Sequence, residues 1–102
     1  MILLAMAAAA MTMANPNEGR VRREMRAAPR VVREFVVRRA GCNHWGGEEG
    51  YDAERTAQIA EAARKLRCRW IDLDERRLKR RYAKSRSVIW LLKTTRDWDT
   101  IP

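Results

Sequence analysis

Asp72 and Asp74, two residues apart, and His44, the single histidine of the chain, are the side chains whose types could carry catalysis. Paired carboxylates can hold Mg²⁺ against a phosphodiester, and an imidazole can move the proton. Metal-dependent phosphoryl transfer is the reaction these parts would support. The same Asp-x-Asp ahead of a helix also makes a turn and an N-cap, and a histidine in a polar loop is also simply solvated. Asp72, Asp74 and His44 are therefore the catalytic candidates, with a non-catalytic role open for each.

Cys42-x-His44 with Cys68 is part of a zinc pattern. Structural zinc takes four ligands, commonly in close pairs, and no second pair follows here. Thiol catalysis by Cys42 with His44 would need an oriented base and an oxyanion hole, and nothing in the sequence marks them. Gly46, Gly47 and Gly50 match neither the phosphate-loop nor the dinucleotide pattern. No lysine follows them, and Glu48 and Glu49 would repel a phosphate. The sequence thus implies no metal and no cofactor.

The larger signal is basic. The chain carries 18 Arg and 4 Lys against 13 acids, a net charge of +9, and its pI is about 10.7. Such a surface attracts polyanions, and arginine can fork onto a phosphate where lysine cannot. The densest cluster is Arg76, Arg77, Lys79, Arg80, Arg81, Lys84 and Arg86. On a helix over 75–85, Arg76, Arg80 and Lys84 would line one face and Arg77 and Arg81 the next row, with Leu78 and Tyr82 turned inward. Arg22, Arg23 and Arg26 would add a second basic surface. These ten side chains are the expected nucleic-acid contacts. Phosphate contacts position a protein without specifying sequence and depend steeply on salt. Trp70, Tyr82, Trp90 or Trp98 could stack bases if exposed. A solvated charged face with core aromatics would look the same in sequence.

The elements that must position these residues read as an alternation of helix and strand. Asn15 and Pro16 suit the start of a basic amphipathic helix that ends before Pro29, with Val21, Met25 and Ala28 as its apolar stripe. The run 31–39 is dense in Val and reads as a strand, and 41–52, with four glycines, reads as a loop. Asp52 can cap a helix to about Arg67, whose inward face is Thr56, Ile59, Ala60, Ala63 and Leu66. Residues 68–73 read as a short strand. Residues 87–94 are nearly all apolar and read as a buried strand, although Leu78, Tyr82, Ser85, Ile89 and Leu92 also keep helical spacing.

The expected fold class is therefore α/β: a small three-stranded, chiefly parallel sheet with two packed helices and an N-terminal basic helix. A mixed three-stranded sheet is the alternative. Ligands would gather beyond the carboxyl ends of parallel strands, where Asn43, His44 and Trp45, then Asp72 and Asp74, then Thr94, Thr95 and Arg96 would meet. In that arrangement Cys42 and Cys68 lie a strand length apart, about 15–20 Å, which excludes a disulfide and a shared zinc. Antiparallel strands would lift that objection. Two cysteines are not a disulfide framework, so two free thiols and a cytoplasmic location are expected.

The expected organisation is an apolar segment over 1–14, a basic arm over 15–29, one α/β domain over 30–96 and an irregular tail over 97–102. The first segment is too short to span a bilayer, so no stable membrane insertion is expected. It resembles the hydrophobic part of a signal peptide but has no preceding cation, and an overextended start ahead of Met11 or Met13 is the favoured account. Three functions fit these observations: a non-enzymatic binder of DNA or RNA, a metal-dependent nuclease built on Asp72 and Asp74, and an interaction module that docks an acidic protein.

Overall fold

The computed structural model describes residues 15–102, and the apolar 1–14 segment lies outside the described residues. The described chain is helical throughout, with no strand and no sheet, which overturns the α/β expectation. Five helices follow one another: α1 Glu18–Ala27, α2 Arg30–Gly46, α3 Ala53–Lys65, α4 Ile71–Arg81 and α5 Arg86–Thr94. A short 3₁₀ turn, Cys68–Trp70, leads into α4. Among the described residues no helix is long and apolar enough to cross a membrane.

Each misread strand has a local cause. The run 31–39 lies within α2, where Val32, Phe35, Val36, Arg39 and Ala40 are buried at positions i, i+3, i+4, i+7 and i+8. Valine costs a helix only about half a kcal/mol relative to alanine, which burial of one stripe readily offsets. The expected loop at 41–52 starts only after Gly46, because α2 runs through Gly41. Gly41 is needed there: a Cβ would lie 3.0 Å from Leu66 Cδ1, so α3 comes close to α2 at this point. Residues 68–73 become the 3₁₀ turn and the start of α4. Residues 87–94 form α5, capped by Ser85, whose Oγ accepts the Val88 N–H at 3.2 Å. Val88, Leu91 and Leu92 give α5 its buried stripe.

Asp52 caps α3 as expected, accepting the Arg55 N–H at 2.7 Å. The N-terminal helix also forms, starting at Glu18 with Asn17 in the N-cap position but no side-chain cap, while Asn15 Oδ1 accepts the Asn17 N–H at 2.9 Å, and it is no appendage. Val21 and Met25 of α1 enter one core with Val32, Phe35 and Val36 of α2, Leu78 of α4, and Val88, Leu91 and Leu92 of α5. Trp98 and Ile101 of the irregular tail pack against the same cluster. The helix α3 buries none of its residues. It rests on the C-terminal half of α2, outside the core that the other four helices share.

Candidate functional site: a buried ion-pair junction and a basic end

The most constrained chemistry in the molecule is an ion pair that the core encloses. Arg39 of α2 is 3% exposed and lies on the buried stripe of its helix. Its Nη1 donates to Glu75 Oε2 of α4. Its Nη2 donates to the Leu92 carbonyl at 2.6 Å and to Thr95 Oγ1 at 3.1 Å. The Thr95 hydroxyl in turn donates to the Leu91 carbonyl at 2.7 Å. The other oxygen of Glu75, Oε1, meets Lys79 Nζ and Arg96 Nη2, each at 2.9 Å. Three helices are joined at this point: α2, α4 and the end of α5.

Burial alone would push the Glu75 carboxyl up, but hydrogen bonds from Lys79 and Arg96 and the nearby Arg39 charge outweigh it and hold it at about 2. Burial is also the largest influence on Arg39 and lowers its pKa, partly countered by Glu75. Such a pair is costly to break from one side, because the remaining charge stays buried. Neither residue stood out in sequence. A signal was present: Arg39 falls seven residues after Val32 on an otherwise apolar stripe, and Glu75 three before Leu78. A charge at a core position implies a buried partner.

The junction borders a cleft of about 580 Å³ lined by Asp72, Arg76, Arg96 and Asp97 as well as the network itself. A second groove, about 360 Å³, runs between α2 and α4 and is lined by Val31, Phe35, Arg38, Arg67, Asp74 and Arg77. Asp72 and Asp74 thus open onto different clefts, as expected for residues two apart on a helix. Asp74 Oδ2 is held by Arg38 Nη2 at 2.6 Å. His44 stands at the end of α2, with Nε2 3.3 Å from Glu48 Oε1. The three catalytic candidates do not converge. Among the described residues no group of three or more His, Cys, Asp or Glu could hold a metal ion. Of the expected meeting of segments, Asn43, Asp72 and Arg96 line the cleft of about 580 Å³ together, and Asn43 Nδ2 donates to the Arg96 and Trp98 carbonyls, each at 2.9 Å.

Cys42 and Cys68 form a disulfide with a Cα–Cα distance of 5.6 Å. The expectation of two free thiols fails, and the parallel-sheet geometry that argued against a disulfide fails with the sheet. Cys42 lies in α2 and Cys68 opens the 3₁₀ turn after α3, and an antiparallel helix pair brings these two points together. Disulfides persist in oxidising surroundings, so the bond also removes the cysteine argument for the cytoplasm.

The expected basic ridge over 75–85 is shorter, since α4 ends at Arg81. Lys84 sits in the α4–α5 turn and Arg86 opens α5. Lys79 is committed to Glu75, Arg77 lies 3.8 Å from Asp74, and Arg22 lies 3.6 Å from Glu18. Among the described residues, Arg23, Arg26, Arg76, Arg80, Arg81 and Arg86 have no carboxylate within 4 Å, and nor has Lys84. A concavity of about 440 Å³ at the α4–α5 turn is lined by Arg80, Arg81, Tyr82, Ala83, Lys84 and Ser85. A neighbouring hollow is lined by Glu24, Ala27, Ala28 and Pro29 together with Ser85 and Ser87. The C-terminal end of α1 therefore abuts the start of α5, and Arg26 shares one end of the molecule with Lys84 and Arg86. Of the four aromatics named as stacking candidates, Trp70 is exposed, at 42%, with the Arg69 guanidinium 5.1 Å from its ring. Tyr82, Trp90 and Trp98 pack against the core, and Arg20 covers the Trp90 ring at 3.9 Å.

Fold and site together define a small arginine-rich helical protein, with a buried ion-pair junction, a helix α3 tethered by a disulfide and a cationic end. Comparison with protein-family models, with curated proteins and with solved structures finds no significant match.

Proposed function

We propose that this protein binds nucleic acid through the basic end formed by the α4–α5 turn and the C-terminal end of α1. The observation that carries this reading is the set of cations there without a carboxylate partner among the described residues: Arg26, Arg80, Arg81, Lys84 and Arg86. A cation already paired gains little from a phosphate, whereas an unpaired one offers its full charge and hydrogen-bonding fork. The concavity between Arg80 and Ser85 gives a phosphate a place to approach several donors at once. The contacts address the backbone, so binding is largely independent of sequence. The reading is of a binder and not an enzyme, since Asp72, Asp74 and His44 stand apart. An acidic protein could engage the same cations, and the choice between the two belongs to the test.

The test is fluorescence anisotropy of the chain with mixed-sequence DNA and RNA, as duplexes and single strands, titrated with salt. Binding at physiological salt with a steep salt slope is the expected result. Converting Arg80, Arg81 and Arg86 to Glu together weakens binding across all sequences and lowers the salt slope by about 2–3. An unchanged affinity in that variant removes the proposed surface, and no binding of any nucleic acid at physiological salt turns the assignment to an acidic protein.

A further inference from the structure

The four-helix core and the disulfide are separate devices, and their separation has a chemical consequence. Helix α3 contributes no buried residue, while every member of the hydrophobic core comes from α1, α2, α4 or α5. Helix α3 packs along α2, with specific contacts at both of its ends. At one end Leu66 sits against Gly41 and the disulfide joins Cys42 to Cys68. At the other, Arg55 reaches Glu48 at 3.2 Å and lies 5.2 Å from the Trp45 ring centroid. Along the inward face, Ile59, Ala62 and Ala63 are only half-buried.

The disulfide itself is not sealed in the interior, since Cys42 and Cys68 are both half-buried. The backbone beside it is strained: Arg67, immediately before Cys68, has φ 55°, in the left-handed region that a side chain with a Cβ occupies at a cost. Arg67 and Arg69 flank Cys68 in the chain, Arg67 lining the groove between α2 and α4 and the Arg69 guanidinium lying 5.1 Å from the Trp70 ring.

We propose that Cys42–Cys68 is a thiol–disulfide exchange site that latches α3 onto a core able to stay folded without it. The co-reactant is a low-molecular-weight thiol. Its thiolate attacks Cys42 Sγ, a new S–S bond forms, the Cys42–Cys68 bond breaks, and the electron pair leaves on Cys68 as a thiolate. A second thiolate attacks the outer sulfur of the mixed disulfide and releases Cys42 as a thiolate with the small-molecule disulfide. Two thiols are oxidised, the protein gains two electrons, and the protons exchange with water. Opening the latch frees α3 and relieves the turn at Arg67. It also uncovers the face of α2 around Gly41 and Trp45, continuous with Val37, which is already 56% exposed. The oxidised state is closed and the reduced state presents an apolar helix face.

Hydrogen exchange read by mass spectrometry on the full chain tests this, with and without reduced glutathione. The double variant Cys42→Ser with Cys68→Ser serves as a permanently open form. Intact mass first establishes the two-hydrogen deficit of the disulfide in the untreated protein. The expected result is that glutathione restores both thiols, and that amides of α3 then exchange at least about tenfold faster while those of α2, α4 and α5 keep their protection. The double variant gives the same pattern without reductant. Free thiols in the untreated protein, unchanged protection of α3 after reduction, or simultaneous loss of protection in all helices would each overturn the proposal.

Discussion

Replacing Glu75 by Gln tests the ion-pair junction most directly. Glutamine keeps the size of the side chain and one acceptor oxygen, and it stands in for the protonated carboxyl at every pH. The Glu75 carboxyl is held at about 2 against an ordinary value of 4.5. That gap corresponds to about 3 kcal/mol of stability at neutral pH, at about 1.4 kcal/mol per pH unit. The figure agrees with the roughly 3–5 kcal/mol lost when one partner of a buried pair is removed, here with Arg39 left charged inside the core. Because the folded value lies below the unfolded one, the contribution is complete above about pH 5 and is lost as pH falls through 4.5 toward 2. Urea unfolding followed by far-ultraviolet circular dichroism measures it. The stability gap between the native chain and Glu75→Gln should be about 3 kcal/mol at pH 7, about 1.5 at pH 3 and about 0.5 at pH 2. A gap below about 1 kcal/mol at pH 7, the range of exposed ion pairs, would refute the reasoning. So would a gap that does not change with pH.

Leu91 is fully buried and Ile59 is not, so Leu91→Ala should cost about 2–5 kcal/mol and Ile59→Ala well under half of that, measured by the same unfolding curves. Gly41→Val places side-chain atoms where Leu66 already sits and should cost about 1–3 kcal/mol, seen as a fall in Tm; an unchanged Tm would mean that α3 does not press on α2. Arg67→Gly removes the left-handed strain before Cys68 and should raise stability by about 1 kcal/mol in the oxidised protein. Ser85→Ala deletes the cap of α5 and should cost about 1 kcal/mol, and a smaller effect would place the start of α5 elsewhere.

The local signals in this chain were legible where chemistry acts over three or four residues. Asp52 caps α3, Pro29 separates α1 from α2, and the Val21–Met25 stripe is the buried face of α1. The runs 31–39 and 87–94 were misread because a dense apolar segment fits both a buried strand and a buried helix stripe. In 31–39 the β-branched residues tilted the choice toward strand. The decisive pattern in 31–39 included Arg39, and a charged residue at a core position disguises the stripe it belongs to. The ridge read on 75–85 survives in part: Arg80 and Arg81 stay unpaired at the end of α4, while Lys79 was spent on Glu75.

Sequence by itself determined the charge excess, the ends of α1 and α3, and the apolar content that commits the chain to a packed core. These follow from composition and from contacts within one turn of helix. The partners across 36 to 56 residues were decided by tertiary structure alone: Arg39 with Glu75 and Thr95, Arg38 with Asp74. The closure of Cys42 on Cys68 over 26 residues was decided the same way. Helix and strand assign opposite geometry to the same stretch, placing the two cysteines a strand length apart in one case and in bonding contact in the other. The choice between them is made by which stripe can be buried against which, and that is a property of the packed whole.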